Sequence, residues 1–123
     1  MAAKDIDVVE VWQGSRRVVT MTVKDTDGVV IPSASMTTIK LTLKNLATGT
    51  VINSRNEQSV FNANGGTYHA TSGLLTIILA AADNTVTGSN SVERHAAVIE
   101  FTYATGAKAD AFPFYVDVTR IPA

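Results

Sequence analysis

The chain contains no cysteine, so neither a disulfide framework nor a thiolate metal site is available, and the fold must stand on packing and backbone hydrogen bonds. Charge is scarce as well: 17% of the 123 residues are Asp, Glu, Lys or Arg, against about 25% in an ordinary soluble domain. The surface must therefore draw heavily on Thr, Ser, Asn and Ala. Basic residues nowhere run beyond the pair Arg16-Arg17 and the net charge is −1, which argues against phosphate-backbone binding and nucleic acid as a partner. No segment reaches the roughly 18 apolar residues of a membrane span. The start, Met1 to Asp7, lacks the basic and apolar regions of a signal peptide, so a protein made and used on the cytoplasmic side is expected.

What is present is alternation. Period-2 runs of β-branched and aromatic residues, broken by Gly, Asn and Asp, recur from end to end and predict half-buried antiparallel strands. A first strand is expected over Asp5–Gln13, closed by Gly14-Ser15. Over Arg17–Lys24, Val19, Met21 and Val23 share one face while Thr20, Thr22 and Lys24 share the other. Asp25-Thr26-Asp27-Gly28 is a turn, and Pro32 puts the apolar Val29–Ile31 at an edge or a strand end. Met36–Asn45 turns Ile39, Leu41 and Leu43 inward, and Asn64-Gly65-Gly66 is a further tight turn. A short strand is expected over Tyr68–Thr71, and Leu74–Leu79 reads as a strand covered on both faces. Ala80–Asn84 is the one stretch that favours a helical turn. Val92–Tyr103 and Lys108–Val118 form a terminal hairpin, with Ala97, Ile99, Phe101 and Tyr103 facing one way and Phe112, Phe114, Val116 and Val118 sharing a face.

About seven short strands with turn signals every 8 to 12 residues predict an all-β, antiparallel, immunoglobulin-like β-sandwich, with a small closed barrel as the alternative. Residues 1–123 read as a single domain, without internal repeat or linker.

Chemistry is thin. Only His69 and His95 are bases near neutral pH, with no nucleophile beside them in a recognised arrangement, and both read as surface or interface imidazoles. Ser72-Gly73 and Gly14-Ser15 lack the rest of a nucleophile elbow. Asp25-x-Asp27-Gly28 has the opening of a calcium loop but not its later ligands, so the plain turn is preferred. No catalytic, cofactor or metal residues are assigned, and the chain is read as a non-enzyme. Trp12, Tyr68, Tyr103 and Tyr115 offer flat rings suited to a sugar platform, as in a carbohydrate-binding module. The competing reading is that Trp12 and at least two of the tyrosines close the ends of the core.

A more specific pattern stands in the second half: Leu79, then Ala82-Asp83-Asn84-Thr85, then Ala97-Val98-Ile99-Glu100-Phe101, Thr105-Gly106, and Phe112-Pro113-Phe114-Tyr115-Val116-Asp117-Val118. It resembles the β-sandwich modules of tailed-bacteriophage virions, in particular the amino-terminal domain of baseplate upper proteins and related immunoglobulin-like accessory domains. Baseplate proteins of that kind continue into fibre or receptor-binding regions, whereas this sequence closes at Ala123. The resemblance therefore implies a virion structural protein of the capsid decoration, or cement, type, with a tail, baseplate or head-to-tail adaptor as the alternative. Its implied partners are the major capsid protein or other virion proteins, and a homo-oligomer or symmetric array is expected. Low surface charge suits such docking, because few charged side chains must be desolvated. The ends, 1–6 and 119–123, are candidate arms lying on a neighbour or on their own sheet. Candidate interface residues are Ala2, Ala3, Lys4 and Asp5, then Trp12, Arg16 and Arg17, and finally Arg120, Ile121 and Pro122.

Overall fold

Alternation becomes strand wherever one phase of a segment is apolar enough to bury. In the computed structural model, which describes residues 8–104 and 106–121, eight strands result. They are β1 (Val8–Trp12), β2 (Arg17–Thr22), β3 (Met36–Asn45), β4 (Gln58–Ser59), β5 (Gly66–Tyr68), β6 (Leu74–Leu79), β7 (Val92–Tyr103) and β8 (Lys108–Thr119). They form a five-stranded sheet, β1-β8-β7-β3-β4, and a three-stranded sheet, β2-β6-β5. The chain is therefore all-β, and among the described residues the sole helical element is a 3-10 turn at Ala81–Asp83.

The inward phases come from both sheets and meet in one core. Val19 and Met21 of β2, Ile39, Leu41 and Leu43 of β3, and Leu75, Ile77 and Leu79 of β6 join Ala97, Ile99 and Phe101 of β7 and Phe112, Phe114, Val116 and Val118 of β8. Each is all but removed from water. At roughly 1.5–3 kcal/mol for each fully buried large aliphatic or aromatic side chain, this cluster is the main source of stability in a chain with no covalent staple.

Four expectations need correction. Antiparallel pairing holds everywhere except at β1, which runs parallel to β8, Val9 opposite Val116 and Val11 opposite Val118. These strands lie at opposite ends of the chain, so no tight turn constrains their direction, and parallel pairing is open to them. The strand expected at Tyr68–Thr71 ends at Tyr68: His69 Nδ1 accepts the Thr71 and Ser72 amides, which bends the chain into a turn. β6 is buried on one face only, since Leu74 is 37% exposed and no layer covers Thr76 and Ile78 completely. His95 is fully buried, because it shares the inward phase of Ala97 and Ile99.

One close approach fixes a residue type. A Cβ on Gly66 would sit 2.0 Å from the Val60 carbonyl oxygen, so the entry to β5 accepts only glycine without backbone movement.

A candidate interaction surface

The outward phase of the five-stranded sheet is the feature that core formation leaves over. Strand register groups its side chains into rows. Val8, Tyr115, Ala96 and Lys44 form one row across β1, β8, β7 and β3. Glu10, Asp117 and Arg94 form the next, extended past β3 by Leu46, whose amide donates to the Arg94 carbonyl. Trp12, Thr119 and Val92 form a third. In the other direction lie Pro113, Val98 and Thr42, then Ala111, Glu100 and Lys40.

This face carries exposed apolar side chains beside its charged ones. Val8, Trp12, Leu46 and Val92 are all more than 40% exposed, Trp12 reaching 58%, and all four border the same rows. Grouped apolar exposure of this kind marks an interaction site, whereas scattered single residues do not.

At its centre Arg94 forks onto Asp117, Nε to Oδ1 at 2.7 Å and Nη2 to Oδ2 at 2.9 Å, with the guanidinium carbon 5.6 Å from the Tyr115 ring centre. The Arg94 hydrogen bonds hold the Asp117 carboxyl below its usual range against the opposing effect of partial burial, and the same bonds raise Arg94. Planar, always charged and stacked on a ring, this arginine is suited to a protein interface. Two hollows border the face. One, of about 290 Å³, is lined by Leu46, Ala47, Thr48, Asn90 and Val92 among others, and another, of about 320 Å³, lies by Thr38, Lys40, Glu100 and Ala111 at the opposite end.

The structure sorts the residues singled out from sequence. Trp12 stands out from the end of β1 instead of closing the core and lines a depression together with Arg17, and Arg16 is exposed. Tyr68 and Tyr103 do close the core, 4% and 8% exposed. The Tyr68 hydroxyl donates to the Ile31 carbonyl and burial pushes its pKa up to about 12, while the Tyr103 ring stacks near Phe101. Neither is available to a sugar, and only Trp12 and Tyr115 remain on one face. Arg120 is tied back: its guanidinium donates to the carbonyls of Gly88 and Asn90 and its amide to Ser91, while the exposed Ile121 donates its amide to the Gln13 side chain. The tail as far as Ile121 thus lies on its own chain. Ala2, Ala3, Lys4, Asp5 and Pro122 lie outside the described residues.

Two buried polar clusters went unread in the sequence. Asp83, fully buried, accepts Arg55 Nε on Oδ1 at 2.7 Å and Nη2 on Oδ2 at 3.0 Å, together with the Asn53 side chain and the Ala80 amide. Arg55 continues to the Gln58 side chain and the Asn64 carbonyl. The cluster ties the 3-10 turn to the β3–β4 connection, and Asn53, Arg55, Gln58 and Asn64 line a hollow of about 380 Å³ beside it. Glu93 accepts the Thr87 and Gly88 amides and lies 2.7 Å from His95 Nε2. Burial would raise its carboxyl, but the bonds from His95, Gly88 and Thr87 outweigh that and hold it below its usual value. His69 sits on an exposed turn, far in sequence and setting from this pair.

No family model matches the chain, and no curated protein matches it.

Proposed function

We propose that this chain is a non-catalytic structural protein of a tailed-phage virion, a capsid decoration or cement protein that binds neighbouring protein subunits, with the outer face of its five-stranded sheet as a protein-docking surface. The observation that carries this reading is that face: broad, with exposed apolar side chains around a charged centre, and bearing an exposed Trp, a partly exposed Tyr and an Arg, the residue types enriched at protein interfaces. The polar clusters elsewhere are engaged in holding turns to strands, which is architecture and not chemistry. On a symmetric shell, many identical weak contacts would add up through multivalency.

We read the two sheets as an immunoglobulin-like sandwich. In support, β2-β6-β5 follows the B-E-D order of that fold, and β8-β7-β3-β4 follows its G-F-C-C′ order. Virion accessory proteins of the resembled kind use such a module, so fold and function readings support each other.

The test is cryo-electron microscopy of capsids stripped of accessory proteins and incubated with the purified chain. Regular density on the capsid lattice is the expected result. Absence of lattice binding overturns the decoration reading, and density confined to a tail structure replaces it with an adaptor role.

A further inference from the structure

We propose that the occupant of this face is a second copy of the chain, related by a two-fold axis that runs along the strands between β7 and β8. The inference rests on reading the face as a protein interface, and it adds the partner and the geometry.

A two-fold axis in that position keeps every row at its own height and exchanges β7 with β8, and β1 with the far side of β3. Three complementarities follow from the observed register. Arg94 of each copy comes over the partner's Asp117, so the two exposed ion pairs stack into an alternating ring of four charges. Tyr115, the bulkiest side chain of its row, comes over the partner's Ala96, the smallest and only 4% exposed. Trp12 comes over the hollow beside the partner's Leu46 and Val92, which lies at the same height on the opposite side of the sheet. A projecting ring, an apolar hollow and reciprocal charges on one self-facing surface are what an isologous contact requires. Size is compatible too: β1, β8, β7 and β3, of 5, 12, 12 and 10 residues, at about 4.8 Å between strands and about 3.4 Å per residue, cover roughly 640 Å², toward the small end of the footprint per partner of a standard interface. Sheets stacked in this way hold their strands within about 30° of one another.

The charges allow a decisive experiment, sedimentation equilibrium at low salt with charge-reversed variants. The unaltered chain is expected to dimerise. Arg94→Glu alone and Asp117→Arg alone each set like charges face to face and are expected to be monomers, whereas their equimolar mixture recovers a heterodimer, because each variant supplies the charge the other lacks. Trp12→Ala is expected to weaken the dimer about thirtyfold or more, as for an interface hot spot. Circular dichroism melts establish that each variant is folded. As a check independent of charge, the cysteine-free background permits Thr119→Cys, which a short bis-maleimide should cross-link efficiently, and Thr67→Cys on the three-stranded sheet, which it should not.

An unaltered chain that stays monomeric, or variants whose mixture fails to associate, overturns the two-fold arrangement. Should the chain be monomeric while Trp12→Ala abolishes capsid binding, the face belongs to a capsid subunit: this inference falls and the decoration reading stands. A dimer that behaves as described but never binds capsids gives the reverse.

Discussion

Two arginine–aspartate pairs in this molecule have the same 2.7 Å closest approach and opposite surroundings. In Arg55–Asp83 the side chains are 7% and 0% exposed; in Arg94–Asp117 they are 46% and 19% exposed. The buried pair is surrounded by further partners, Asn53, Gln58, Asn64 and Ala80, because a charge removed from water must recover its lost hydration in full. The exposed pair needs no such shell, and among the described residues its neighbour is the Tyr115 ring. One pair is committed to holding turns together, and the other keeps hydrogen-bonding capacity and charge facing outward. The difference separates architecture from a surface able to meet a partner.

The largest expected effect breaks the comparison on its buried side. Asp83→Ala leaves Arg55 buried without a counter-charge and should cost about 3–5 kcal/mol in urea unfolding. The double substitution Arg55→Met with Asp83→Leu, which removes both charges, should cost less than the single one. If Asp83→Ala unfolded with little loss, the pair would be no more than an ornament of the turn.

Glu93 offers an intermediate case, since it is buried but its main side-chain partner is a histidine. Glu93→Ala should cost about 1–3 kcal/mol, because the Thr87 and Gly88 amides and His95 lose their acceptor. The sign of its pH dependence follows from the depressed carboxyl. A carboxylate held lower in the folded chain stabilises it fully above the unfolded value of about 4.3, and that share is lost as pH falls through the lower, folded value. Thermal melts from pH 7 down to pH 3 should therefore show Glu93→Gln losing less stability on acidification than the parent chain.

Legibility in the sequence follows the same division between local and long-range causes. The bounds of β3, β6 and β7 and the inward phases of β3, β7 and β8 could be read because a period of two is a local property, repeated within each segment. The exposure of Trp12 was present in that same phase, since Val9 and Val11 face inward and alternation then sends Val8, Glu10 and Trp12 outward. It was obscured because both phases of β1 are largely apolar, which is itself the mark of a strand with an outer surface to cover. His95 likewise follows the phase of Ala97. Arg55 and Asp83, by contrast, lie 28 residues apart on segments with no common pattern, and only the packed fold brings them together. The parallel pairing of β1 with β8 is of that kind as well, a contact between chain ends that no local period specifies.

The smallest expected effect on folding tests the exposed side of the comparison. Asp117→Asn keeps the shape of the side chain and removes its charge, and Arg94 stays in contact with water, so the urea midpoint should scarcely move. Self-association should respond instead, because the substitution withdraws one sign of charge from the facing ring. High salt should act on the parent chain in the same selective way. Screening shortens the Debye length to about 3 Å at 1 M, which weakens exposed pairs and leaves buried ones largely unaffected. Parallel unfolding and sedimentation series in rising sodium chloride should thus weaken the dimer well before they weaken the fold. Equal sensitivity of the two would mean that Arg94 and Asp117 serve the fold as Arg55 and Asp83 do, and the outward pair would lose its standing as a recognition element.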